Sequence, residues 1–307
     1  MPNDYDVLII GGGLAGLTAG MFAARYGLYT GIIEQMMGGA QIINLEKIEN
    51  FPGFPEGIAG AELGPAAQEQ AMDAGANFVM GEVKGVTRDG NYKVVDSDSG
   101  SYRAKSVIIS AGSTLRQLNI GEDQFDGKGI SHCATCDGAF YMGQTVGVVG
   151  GGDSAADEAL TLTEYADRVL LFHRRDQFKA QKILQERLVA NPRIDIYWNT
   201  EILGVLGEDT VSGVRAHNVV TNLDTVVDLS GLFIYVGLEP NSDWLGNVVK
   251  RDRAGHIEVD VSMETSVSGI FAAGDILQNS VSQLISSAGD GATAAISAFR
   301  YIRGINW

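Results

Sequence analysis

Cys133 and Cys136 are the only cysteines in the chain, and two residues separate them in HCATCDG, residues 132 to 138. That spacing serves metal knuckles, loop staples and dithiols that carry two electrons. Zinc needs four ligands. His132 and Asp137 are too close in sequence to complete a tetrahedron with the cysteines, and His173, His217 and His256 are scattered singly, so no metal site is expected. Two cysteines in 307 residues do not make a secreted disulfide scaffold either. Redox chemistry is left, with Asp137 to supply or remove the proton that thiol exchange requires. The plainer alternative for Asp137 is a cap on the helix that follows.

Electrons need carriers, and the elements around the pair supply places for them. YDVLIIGGGLAGLTAGMFAARYG reads as a buried strand through Val7 to Ile10, a glycine turn, and a helix through Ala19, Ala23 and Ala24. The pattern G-x-G-x-x-G falls on Gly11, Gly13 and Gly16. One glycine permits the turn, the next lets backbone N–H groups approach a pyrophosphate, and the third lets helix and strand pack closely. The following strand, in YTGIIEQ, ends at Glu34, where such a fold places an acid to hold a ribose. QTVGVVGGGDSAADEALTL repeats the pattern, and one constant offset carries Gly11, Gly13, Gly16 and Glu34 onto Gly150, Gly152, Ala155 and His173. A repeat in that register predicts two dinucleotide-binding domains. The second copy ends its strand in His173, Arg174 and Arg175. Guanidinium groups suit a ribose 2′-phosphate, so the second site reads as NADPH and the first as FAD or NAD; solvated surface charge is the competing explanation.

A third segment returns to the first site. TSVSGIFAAGDI predicts an apolar strand ending at Gly274 and Asp275, followed by a helix with Ala294, Ala295 and Ala298 on closely packed faces. An acid at that end of a parallel strand faces the ligand crevice. The NADPH domain is therefore read as an insertion into the FAD domain, with crossings near ISAGSTLRQL and LFIYVGLEPNSDWL. VVDSDSGSYRAKSVIISAG alternates apolar and polar residues as a small antiparallel meander would. The boundaries follow as 1–117 and 246–307 for the FAD domain and 118–245 for the NADPH domain. A formal charge of −16 disfavours nucleic acid as a partner. The N-terminus has no basic region before its apolar run, and no stretch reaches spanning length, so a cytoplasmic, membrane-free protein is expected.

In this order and spacing, GGGLAGLTAG, IENFPGF, CATCDGAF, GGGDSAADEA, HRRDQFKA and GIFAAGDI closely resemble the low-molecular-weight thioredoxin reductases, from end to end. The resemblance implies an α/β protein of two Rossmann-like domains of three-layer β/β/α type. It also implies a homodimer whose domains rotate so that disulfide and nicotinamide alternate against the flavin. Cys136 would lie against the flavin, Cys133 would exchange with the substrate disulfide, and Asp137 would be acid and base. The FAD site would comprise Gly11, Gly13, Ala15, Gly16, Glu34, Gln35, Gly38, Gly39, Gln41, Asn50, Val83, Gly274, Asp275, Gln283 and Leu284. The NADPH site would comprise Gly150, Gly152, Asp153, Ser154, Ala155, His173, Arg174, Arg175 and Lys179. The activity implied is NADPH-dependent reduction of thioredoxin, a separate chain, with Arg116, Lys128 and Arg168 as candidate basic contacts.

Four positions depart from the family. Lys179 replaces an arginine and loses its bidentate fork, and Ser282 with Gln283 replaces the usual Arg-Gln pair before the last helix. Ala40 and Leu45 replace a glycine and a threonine. The first two keep other functions open: the same flavin and dithiol chemistry with ferredoxin or a reduced deazaflavin as donor, another disulfide partner, or a redox sensor without turnover.

Overall fold

The computed structural model describes residues 4–36 and 39–305. The chain forms two compact units, Met1–Thr114 with Glu239–Trp307, and Leu115–Leu238.

In the split unit, the strands Asn77–Met80, Thr30–Glu34, Asp4–Ile10, Gly100–Ile109 and Ile270–Ala272 lie side by side in that order, all parallel. The strand Gly100–Ile109 does double duty. Its second half pairs with Ile270–Ala272, while its first half closes an antiparallel meander with Tyr92–Ser97 and Val83–Asp89. Side chains alternate across a strand, and here both faces are apolar. Val7, Ile9, Ile32, Ile108 and Phe271 face Leu17, Ala19 and Ala23 of the helix Leu14–Arg25 and Ala294, Ala295 and Ala298 of the helix Leu284–Arg303. Leu8, Ile10, Ile33, Val107 and Ile109 pack with Val86 and Val95 of the meander. Burial on both sides explains why the sequence shows an unbroken apolar run there. The two helices touch through small residues: a Cβ on Gly291 would fall 2.1 Å from the carbonyl oxygen of Ala15.

The continuous unit repeats the plan. Ile194–Trp198, Arg168–His173, Thr145–Gly150, Gly231–Tyr235 and Ile130–Ser131 form a parallel sheet in that order. Val146, Val148, Val169, Leu171 and Phe233 pack with Ala155, Ala156, Ala159 and Leu162 of the helix Asp153–Leu162 and with Leu184 and Leu188 of Lys182–Ala190. The other face, with Leu170, Phe172, Leu232 and Ile234, meets Ile202, Val214 and Ala216 of a meander built from Thr200–Gly207, Val211–Asn218 and Leu223–Asp228. Each unit is a Rossmann-like three-layer β/β/α fold, the continuous one inserted into the split one.

The crossings fall at 114/115 and 238/239, not at 117/118 and 245/246. Leu115 packs against the core of the inserted unit, whereas Leu245, 1% exposed, and Val249 belong to the core of the split unit. Packing moves each boundary toward the N-terminus.

The segment entering the inserted unit is pinned by Glu122, which is 2% exposed. Its carboxylate accepts the N–H groups of Leu118, Asn119 at 2.8 Å and Ile120 at 2.7 Å. Burial pushes this carboxyl up, but the backbone donors outweigh it and hold the group below its usual range. A lowered folded pKa gives stability that is present above the unfolded value and lost as pH falls through the folded one. Glu122→Gln keeps the shape but turns an N–H donor toward the backbone donors. It is expected to destabilise the protein by about 2 kcal/mol at neutral pH. In denaturant melts the gap from wild type should narrow below about pH 4 as the wild-type carboxylate protonates.

Candidate active site

In the split unit the strand Asp4–Ile10 runs into a turn that only glycine can make. Gly11 has φ +106°, and a Cβ there would strike the Ser110 carbonyl oxygen at 2.2 Å. A Cβ on Gly16 would stand 1.8 Å from the Gly11 oxygen, so helix and strand pack backbone to backbone. Gly13 is the opposite case: a Cβ there meets nothing within 4 Å. The helix Leu14–Arg25 begins at Gly13 with no side-chain cap and no acid in its first turn. Open space in front of uncapped N–H groups fits a pyrophosphate. Glu34 borders this space, accepting N–H groups from Gly12, from Gln35 at 2.7 Å and from Met36 at 3.0 Å.

Other expected residues converge on the same end of the sheet. Ala15 is buried, and a Cβ on Gly274 would lie 3.0 Å from its methyl group. Gln41 donates to the Ser113 carbonyl at 2.9 Å, and Asn50 donates to Gln283 at 2.9 Å. Gln283 stands at the N-cap of Leu284–Arg303, and Leu284 packs near Leu14 and Ile42. Gly39 takes φ +92° against Gly64, while Val83 is half-buried beside the meander core. Gly38 lies outside the described residues. Asp275 accepts Ser280 at 3.2 Å and Ser287 at 3.3 Å, and burial pushes its carboxyl up despite both hydroxyls. Asp290 was missed from sequence. Its carboxylate accepts the Gly274 N–H at 3.3 Å, and burial, then the neighbouring Asp275, pushes it up. An acid inside the small-residue run SSAGDGATAA was the available signal.

The inserted unit presents a second turn of the same kind. Gly150 has φ +157°, with a hypothetical Cβ 2.5 Å from both the Ala155 methyl and the Tyr235 carbonyl oxygen; Gly152 again faces open space. The helix Asp153–Leu162 starts there without a side-chain cap. Asp153 turns aside: its carboxylate takes the Gln181 N–H and Nε2, each at 2.8 Å, tying the loop before the next helix to this one. Ser154 is exposed on the first turn. His173 is built into the wall, 8% exposed, its Nε2 donating to the Gln177 carbonyl at 3.0 Å and its ring against Phe178 and Trp198. Arg174, Arg175 and Lys179 are exposed, and among the described residues no carboxylate pairs with them. Uncompensated cations beside an uncapped helix fit a phosphorylated ribose.

Cys133 and Cys136 are joined in a disulfide, Cα to Cα 5.3 Å. They sit on one helical turn, Ala134–Asp137, in which Cys136 N–H donates to Cys133 Sγ at 3.2 Å. Cys136 is exposed and Cys133 half-buried. The cap reading of Asp137 fails, since its side chain makes no cap bond. Its Oδ2 instead accepts the Ser131 hydroxyl at 2.7 Å, and Ser131 in turn accepts the Cys133 N–H at 3.1 Å. The carboxylate is thus anchored beside the sulfurs by a residue the sequence did not single out. Nδ1 of His132 donates to the Ile234 carbonyl at 3.1 Å, spending a nitrogen that a metal would need. Of the basic contact candidates, Arg168 is paired with Asp195 and Arg116 has a partner of its own, leaving Lys128 exposed.

The family model for pyridine nucleotide-disulphide oxidoreductases matches residues 5–292. A Bacillus subtilis (strain 168) thioredoxin reductase is 42% identical over 300 residues, covering 97% of this chain and 95% of its own. A crystal structure of Lactococcus lactis thioredoxin reductase in its FR conformation is 39% identical with TM-score 0.96, over 98% of this chain and 100% of that one. A ferredoxin-flavin thioredoxin reductase from Clostridium acetobutylicum is more distant, at 28% identity and TM-score 0.54 over 98% of each chain. Matched along nearly its whole length by one family model and by relatives that share one name, the chain belongs to the thioredoxin reductases, within the pyridine nucleotide-disulphide oxidoreductase family.

Proposed function

We propose that the protein is an FAD-dependent thioredoxin-disulfide reductase that draws electrons from NADPH and delivers them through Cys133 and Cys136 to thioredoxin. The observation that carries this reading is a formed Cys133–Cys136 disulfide, with Asp137 anchored beside it, in the same unit as a glycine turn flanked by unpaired cations.

When bound, NADPH supplies a hydride and FAD converts it to an electron pair that can open a disulfide. The chain's own residues do the rest. Gly13 and the first turn after it cradle one pyrophosphate, and Glu34 holds the ribose, with Gln35, Gly38, Gly39, Gln41, Asn50, Val83, Asp275, Gln283 and Leu284 around the flavin. Gly152, Ser154 and Ala155 receive the second pyrophosphate, while Arg174, Arg175 and Lys179 take the 2′-phosphate against the wall made by His173. Cys136 receives electrons, Asp137 transfers the proton, and Cys133 attacks the partner's disulfide. The enzyme works as a cytoplasmic homodimer on thioredoxin as a separate chain. No helix among the described residues is long and apolar enough to cross a membrane.

Anaerobic mixing with NADPH, and separately NADH, tests the donor through the flavin absorbance near about 450 nm, because hydride transfer requires a spectral change. Rapid bleaching by NADPH is expected. An unchanged flavin with either nucleotide would overturn the NADPH assignment and send the search to another donor, with Ser282 and Lys179 as its cause.

A further inference from the structure

Beneath the disulfide lies a second carboxylate that the reaction above does not use. Glu158 stands on the helix Asp153–Leu162, and its Oε2 accepts the Ala134 N–H at 2.7 Å. Ala134 is fully buried and directly follows Cys133. Tyr235, 7% exposed, lies beside Glu158 at the end of the strand Gly231–Tyr235, and its own carbonyl backs the Gly150 turn. One short path thus runs from the nucleotide turn through a helix to the backbone of the redox loop.

The charges around Cys133 are of one sign. Its own loop contributes Asp137 and His132, the latter held by the Ile234 carbonyl. The packed helix contributes Glu158, and the sheet contributes Tyr235, whose phenol is driven far up by burial and then by Glu158, so it stays neutral. Tyr141, on the turn after Asp137, is pushed up by burial and then by Asp137, and Tyr165 lies against Gly138. No lysine or arginine bonds to this loop among the described residues.

From this arrangement we infer that Glu158 is a positioning residue: it fixes the CATC backbone through the Ala134 amide and keeps the Cys133 thiol protonated in the reduced enzyme. Opening the disulfide takes two electrons and two protons to give two thiols. A carboxylate one residue from Cys133 disfavours leaving that sulfur as thiolate. A dithiol whose thiolate is not stabilised gives up its electrons more readily, the reverse of pairs that oxidise strongly because their reduced form is stabilised. Glu158 therefore favours delivery to a partner disulfide over retention. This rests on the dithiol reading of the pair but not on the identity of the electron donor.

The test is the pH dependence of iodoacetamide alkylation of Cys133 in full-length Cys136→Ser protein, with and without Glu158→Gln. Glutamine still accepts the Ala134 N–H but carries no charge. The alkylation midpoint should fall by about one pH unit, giving up to about tenfold faster reaction at neutral pH. In the protein with both cysteines, Glu158→Gln should make the pair less reducing against a glutathione couple. Glu158→Ala, losing both charge and bond, should lower the midpoint and also loosen the loop; if it does not fold, Glu158→Gln carries the test alone. An unchanged midpoint in Glu158→Gln would overturn the inference. Failure of flavin bleaching by NADPH would instead strike the donor assignment and leave this result standing.

Discussion

Cys133→Ser and Cys136→Ser should each reduce thioredoxin reduction to background, a loss of more than about a thousandfold, the scale on which removing a reacting nucleophile acts. Neither sulfur has a substitute, because these are the only cysteines in the chain. Both variants should still bind FAD, since the residues assigned to it lie in the split unit and the disulfide lies in the inserted one. Flavin bleaching by NADPH should likewise survive. Stopped-flow absorbance reads the first half of the reaction and thiol release from thioredoxin reads the second. Full turnover in either variant would remove the dithiol from the mechanism. Loss of both halves together would mean that the substitution had damaged the fold.

The second large effect concerns the nucleotide. Arg174→Ala with Arg175→Ala should raise the KM for NADPH by about a hundredfold while leaving that for NADH nearly unchanged, because only NADPH carries the 2′-phosphate. The size is held below what two buried charge-assisted bonds would give, since both side chains are exposed and screened. Lys179 remains in the double variant and should keep a residual preference, as a point charge without the guanidinium fork. Equal losses for both nucleotides would place the arginines away from the phosphate. Steady-state kinetics at two ionic strengths would separate the cases, because a true phosphate contact weakens with salt in the wild type and hardly at all in the variant.

What could be read in advance was whatever backbone geometry imposes on residue type. Gly11, Gly16 and Gly150 admit no side chain, so the turns announce themselves, and their common offset reveals the duplication before any coordinate does. The double-sided burial of Asp4–Ile10 and Thr145–Gly150 is equally plain as apolar runs. The second meander was not legible. Its outer strand Leu223–Asp228 is almost wholly exposed, with Val226 at 65%, so it lacks the alternation that marks a half-buried strand. The helix Gly60–Asp73 hides behind Pro65 and a polar composition. Within the site, Ser131, Asp290 and Glu158 act through a single bond each to a loop distant in sequence, and no local pattern encodes such a bond. The boundaries slipped for a similar reason: Leu245 looks like part of a linker until the core that receives it is seen.

The interleaving of the two units also sets an order of assembly during synthesis. A ribosome releases the inserted unit as one continuous stretch, so every strand of its parallel sheet is available once residue 238 has emerged. The split unit must wait, because Ile270–Ala272 and the helix Leu284–Arg303, which covers Ala15 and carries Asp290, come last. The nascent chain can therefore close its disulfide-bearing half while the flavin-holding half is still incomplete, and premature capture of flavin by a partial protein is avoided by chain order alone.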